Sequence, residues 1–223
     1  MQYKQQIVIS ILSLFFLTGC FEFVEEIAMN KDGSGSAVFT VNLSQSKTKL
    51  ASIMLLDSIN GYKVPSKITI KNHVKEVVEK IKATKGISNV KSTLNFDEFI
   101  VAISCDFDKV ETLNEVLVNF SSKKLAQEIK KHKHFGFNNT SKTFVRSHHF
   151  NIGKEFQKTK TSDREIFKTA SYTGIYRFAS PVKLCVNKEA KIAKSKKAVM
   201  LRLNAQDIIA NKQTIKNTIQ LEN

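Results

Sequence analysis

Apolar and polar residues alternate along much of this chain. In FEFVEEIAM, residues 21–29, Phe21, Phe23, Ile27 and Met29 share one side of a predicted strand, and Glu25 is the polar exception among them. SAVFTVNL repeats the alternation after NKDGSG. Asp32-Gly33 between two such runs predicts a hairpin, because glycine accepts the positive φ of tight turns. Ser44 stands at a predicted helix start, with Leu50, Ile53 and Met54 at helical spacing and Gly61 as the stop. A second helix is predicted between Pro65 and Gly86. Its stripe is Ile70, Val74, Val77, Val78 and Ile81, backed by Lys71, Lys75, Glu76, Glu79 and Lys80. Residues 87–94 and 99–107 alternate on either side of NFDE and read as a second hairpin. Asp108 and Glu111 form a D-x-x-E capping pair for a helix faced by Val110, Leu113, Leu117 and Phe120.

Two stretches therefore share one plan of turn, strand, cap and amphipathic helix, with Ser44 and Asp108 in equivalent places. A weaker third unit runs from Phe135 to Lys168. YTGIYRFASPVKLCV, KKAVMLRL and TIKNTIQL add strands, and a short helix around Ala205 to Ala210 separates the last two. The expectation is an α+β fold: an antiparallel sheet of hairpin-plus-helix (ββα) units, with helices on one face and a strand-rich C-terminal part. Only two prolines occur and no linker stands out, so residues 20–223 read as one domain.

The first twenty residues follow a different pattern. One charge, Lys4, precedes an apolar run from Ile7 to Leu17, and small residues lead to Cys20. As a helix that run rises about 16 Å, roughly half of a hydrocarbon core, so a removed export signal over residues 1–19 is expected rather than a spanning helix. LTGC, residues 17–20, resembles the lipobox of bacterial lipoproteins. The resemblance implies cleavage between Gly19 and Cys20 and diacylglycerol on the Cys20 thiol, with two or three acyl chains such as palmitate in all. Two or more chains make anchoring durable. Cys20, the first strand, the Asp-Gly turn, the second strand and the Ser-headed helix together resemble the layout of LppM-like envelope lipoproteins. That implies an extracytoplasmic α+β domain and assigns no catalytic residue. In lipoprotein sorting an Asp after the cysteine retains the protein in the inner membrane, so Phe21 favours the outer one, where two membranes exist.

Charge adds one feature. The chain carries a formal +15, of which Lys4 supplies one unit. Residues 123–168 hold twelve Lys or Arg against four acids, a net +8, interleaved with phenylalanines. Such a segment suits nucleic acid, an anionic membrane surface, or a lysine-rich solvated surface with the phenylalanines in the core. Export and the lack of any nucleic-acid motif argue against the first. Lys123, Lys124, Lys130, Lys131, Lys133 and Arg146 are the candidate contacts to anionic headgroups, lipopolysaccharide or an envelope partner. The remaining cysteines, Cys105 and Cys185, are not expected to meet. Cys105 shares a strand face with Phe99, Val101, Ile103 and Phe107, whereas Cys185 lies with Lys183 and Asn187, opposite Val182, Leu184 and Val186.

Catalytic patterns are missing from the sequence. His132 and His134 in KKHKH and the adjacent His148 and His149 sit among lysines, and alternate residues of a strand do not converge on a metal. DGSG does not open a helix and lacks nucleotide-fingerprint spacing. The expectation is a lipid-anchored, non-enzymatic envelope protein with no cofactor or metal, partnered by the membrane and not by nucleic acid. Two alternatives stay open: a periplasmic hydrolase or metal-dependent enzyme with a site assembled from distant residues, and a subunit of an envelope assembly.

Overall fold

A computed structural model describes residues 21–59, 61–121, 123–149, 152–158, 164 and 167–222. Cys20 and residues 1–19 lie outside them. The architecture is α+β, as expected, but its covering layer is part helix and part second sheet. Strands β1 (Glu22–Met29) and β2 (Gly35–Asn42) form the first hairpin. Gly33 turns it at φ 91°, and the Asp32 carboxylate accepts the Ser34 amide. Strands β5 (Ile87–Asn95) and β6 (Ile100–Phe107) form the second. With β9 (Ser171–Phe178), β11 (Lys191–Ile192) and β12 (Ala198–Asn204), these build a seven-stranded sheet in the order β11-β12-β9-β1-β2-β6-β5. It is antiparallel except between β1 and β9, which run parallel along their whole length. Local alternation carries no information about that pairing.

One face of this sheet is the core. Ile27 of β1 lies between Ala37 of β2 and Tyr176 of β9, and Ala37 in turn is opposite Cys105 of β6. Helix α2 (Lys67–Lys82) packs beside β5 and buries Val78 and Ile81. Its N-cap is Ser66, whose hydroxyl accepts the Thr69 amide. Helix α3 (Leu113–Phe120) buries Leu113 and Val116 in the same cluster. Over β1 and β9 the cover is a second, four-stranded sheet, ordered β10-β13-β8-β7. Its strands are β7 (Phe135–Asn138), β8 (Thr143–Arg146), β10 (Val182–Cys185) and β13 (Asn217–Leu221). Phe144 of β8 meets Tyr176 and Phe178 of β9 at ring-centroid distances of 5.1 and 5.7 Å.

Several local expectations are corrected. Ser44 does not cap: a 3-10 turn over Ser44–Ser46 precedes α1 (Lys47–Ile53), whose residues are all incompletely buried. Gly61 does not stop a helix either. It turns a two-stranded hairpin, β3 (Ser58–Ile59) and β4 (Tyr62–Lys63), at φ 80°. The helices of the two similar units leave opposite ends of the antiparallel β2–β6 pair, and of these two α3 buries side chains in the core while α1 buries none. Asp108 and Glu111 do not form a capping box. Asp108 accepts the Thr112 hydroxyl, and Glu111 reaches across to accept the amide of Phe137 in β7. In β10 a register shift between Val182 and Leu184 reverses the expected faces. Cys185 turns inward and Leu184 and Val186 outward. Cys105 and Cys185 are both free.

Candidate functional site

The strand registers define two ends of the large sheet. At one, Glu22 opens β1 opposite Asn42, which closes β2, and Ser171, which opens β9. Asn42 faces Ile100 at the start of β6, and Asn95 at the close of β5 faces Ile100 from its other side. Cys20 precedes β1 by two residues, so this is the end at which the chain enters the domain from Cys20. Phe21 is fixed there. Its carbonyl accepts the Ser171 amide at 3.0 Å, and its ring meets Phe167 edge-on at 5.6 Å. Phe167 meets Phe156 of helix α5 (Ile152–Gln157) at the same distance, which brings the end of the basic segment to this side.

The candidate cations divide into five lysines of one segment and the buried Arg146. Lys123 and Lys124 lie on helix α4 (Lys123–Ile129). Lys130, Lys131 and Lys133 follow it and are exposed, Lys131 pairing with Glu128 at 2.7 Å. Arg146 is the correction. It is buried between the two sheets, 5% exposed, and cannot reach a surface. Its Nε and Nη2 donate to the Glu25 carboxylate at 2.9 and 2.8 Å, and its Nη1 donates to the Ser147 carbonyl at 2.6 Å. The Phe135 ring centroid lies 4.4 Å from the guanidinium. Glu25, the polar exception of the first strand, is the partner that the interior position of Arg146 requires.

Tyr172 and Tyr176 complete this centre. Their hydroxyls lie 3.1 and 2.9 Å from Glu25 Oε1 and 3.0 Å from each other. Two phenol protons serve these three contacts, so at most two are hydrogen bonds at once. Gly174 makes the convergence possible: a Cβ there would sit 2.9 Å from one hydroxyl and 3.0 Å from the other. Burial alone would lower the Arg146 pKa, but Glu25, Tyr172 and Tyr176 together outweigh it and the net shift is upward. Burial, reinforced by Glu25, raises both tyrosines. The arrangement is a closed ion pair that joins two sheets, and among the described residues no buried side-chain nitrogen or oxygen lacks a partner.

The histidines gather beside it. His132 stacks on His149 at 4.6 Å, and His134 meets His149 at 6.4 Å. Burial, with the Arg146 charge second, lowers the pKa of His134 and pushes that of His148 down to about 4. Stacked rings do not aim two nitrogens at one point. Among the described residues no three His, Cys, Asp or Glu are placed to hold a metal ion. Two open clefts lie at opposite ends of the large sheet. One, of about 580 Å³, is lined by Ser34, Ser36, Asp106 and Arg177 among others. The other, of about 430 Å³ at the Cys20 end, is lined by Glu22, Asn42, Gln45, Arg202 and Asn204 among others. No histidine or cysteine lines either. Among the described residues no helix is long and apolar enough to cross a membrane.

The sequence pattern flagged Glu25 but offered no partner for it, and the two tyrosines and Gly174 were not singled out. The Y-x-G-x-Y spacing in β9 was the signal available, since period two puts all three on one face. The sequence matches no protein-family model. No curated protein matches it. Among solved structures, the folded domain of LppM from Mycobacterium tuberculosis, determined by NMR, is similar over 92% of this chain and 91% of that one. The identity is 8% and the TM-score 0.42.

Proposed function

We propose that this protein is a cell-envelope lipoprotein, anchored through acyl chains on Cys20, whose domain is non-enzymatic and binds or organises material at the membrane surface. The carrying observation is the junction. An apolar run ending in LTGC is followed within two residues by a paired strand, with no linker between. An anchor at Cys20 would therefore hold the sheet end of Glu22, Asn42 and Ser171 against the bilayer. The basic segment suits the same surface, because Phe156 and Phe167 tie its end to Phe21. Anionic headgroups, lipopolysaccharide phosphates or an acidic envelope protein are its partners, through Lys123, Lys124, Lys130, Lys131 and Lys133. Each lysine close to such a surface contributes about 1 kcal/mol. Phe21, rather than Asp, after the cysteine favours the outer membrane.

The test is metabolic labelling with radioactive palmitate in a bacterial host, followed by detergent-phase partition. The wild-type chain is expected to take up label and enter the detergent phase, and Cys20→Ser to lose both. A wild-type chain without label, or a Cys20→Ser chain that keeps it, would overturn the reading.

A further inference from the structure

Nine large apolar side chains are exposed among the described residues, and five of them fall between positions 55 and 68: Leu55, Leu56, Ile59, Tyr62 and Ile68. Leu55 is 87% exposed and Ile68 70%. Single exposed leucines are ordinary, but a group of them on one projection is not. Ile68 lies in the first turn of α2, and the other four lie on the excursion between β2 and α2. This excursion comprises α1, the turn through Met54 to Asp57, and the β3–β4 hairpin, and no residue of α1, β3 or β4 is buried.

We infer that the α1–β3–β4 excursion is a membrane-inserting tip, which places Leu55, Leu56 and Ile59 among the acyl chains of an anionic bilayer. Two further observations choose the bilayer as occupant. The first is position. The excursion leaves β2 after Asn42, which is paired with Glu22, so it emerges from the end of the sheet that carries Cys20. Its base is held there, with Lys47 paired to Glu98 and Lys67 and Lys71 lying 5.3 and 5.9 Å over the Phe96 ring, in the β5–β6 turn. The second is charge. From residue 43 to 71 the chain has five lysines (Lys47, Lys49, Lys63, Lys67 and Lys71) and one acid, Asp57. An apolar tip ringed by lysines matches the interface, with aliphatic groups below the headgroups and ammonium groups among the phosphates.

The inference rests on the lipid-anchored reading for the nearness of a bilayer, and its test separates the two. The chain contains no tryptophan, so Leu55→Trp introduces a sole reporter, and Ile59→Trp repeats the measurement on the hairpin. Asn139→Trp reports from the β7–β8 turn. That turn belongs to the opposite end, where the Phe137 ring touches Gly33. The acylated protein, purified from its host's membranes, is reconstituted into phosphatidylcholine–phosphatidylglycerol vesicles whose acyl chains carry bromine. Emission from Leu55→Trp and Ile59→Trp is expected to shift to the blue and to be quenched at least about twofold, while Asn139→Trp stays unquenched. Unquenched tips on protein that floats with the vesicles overturn the inserting tip and leave the anchor intact. Protein without acyl chains, mixed with the same vesicles, still decides the tip by the same quenching. A blue shift that needs no vesicles and grows with protein concentration assigns the tip to a second copy of the chain, and it also overturns the inference.

Discussion

Glu25 occupies a fully buried position in β1, with Arg146 bidentate on its carboxylate and two phenols converging on one oxygen. Desolvating both charges costs about as much as their attraction returns, so the pair fixes how the sheets meet more than it adds net stability. Its removal is asymmetric for the same reason. Arg146→Met alone strands a buried carboxylate and is expected to cost about 3–5 kcal/mol. The double replacement Glu25→Leu with Arg146→Met is expected to recover much of that loss. Urea denaturation of the two variants and the wild type measures both, and equal losses in the single and double variants would count against the pair. Half of this centre was legible in FEFVEEI, where Glu25 broke an otherwise apolar face. The other half was not. Arg146 lies 121 residues away, and a count of charges along a segment treats it as one more surface cation. In TFVR it shares a strand face with the buried Phe144, which was the available warning.

At the scale of elements, hairpins and long helices were readable because their signals are local. An Asp-Gly turn between alternating runs, and an apolar stripe between Pro65 and Gly86, need no knowledge of the rest of the chain. The misreadings arose where a side chain serves a distant element. Glu111 looks like half of a capping pair but accepts the Phe137 amide, and Asn114 of α3 accepts the amides of His134 and Phe135 at 2.6 and 3.0 Å. The Asn114 amide group also donates to the carbonyls of Glu111 and Phe135. These bonds occupy the open edge of β7, the last strand of the four-stranded sheet, and so protect it from pairing elsewhere. Asn114→Ala removes three of these edge bonds at once, together with the bond to the Glu111 carbonyl. Each buried group left unpaired costs about 1–3 kcal/mol. Amide hydrogen exchange should then quicken at residues 134–137, while amides of β1 and β2, in the centre of the large sheet, keep their protection. Uniform acceleration across both sheets would show that the edge bonds are not a local clamp.

The molecule is built on two sheets that share a core: a parallel pairing of β1 with β9 holds the larger sheet together, and the Glu25–Arg146 ion pair joins it to the smaller one, and no window of sequence contains either contact. Its response to acid follows from what lies at that junction. His148 faces Arg146, His134, Lys216 and His149, and burial with these charges holds its pKa at about 4, against 6.5 in an open chain. His134 is lowered by burial and by Arg146 in the same direction. A depressed histidine pKa means that between pH 6.5 and 4 the unfolded chain binds protons that the folded one refuses. Stability therefore rises with pH through this window, and it falls as pH drops from 6.5 toward 4. Above pH 6.5 these groups are neutral in both states and contribute no slope. Thermal unfolding at pH 7.5 and 4.5 is expected to give the lower Tm in acid, by about 2–4 °C for each kcal/mol lost in a chain of this size. His148→Gln, which cannot titrate, should flatten the curve between pH 6.5 and 4 and leave its shape above pH 6.5 unchanged. An unaltered acid slope in that variant would remove His148 from the account and leave the effect to His134 and the carboxylates.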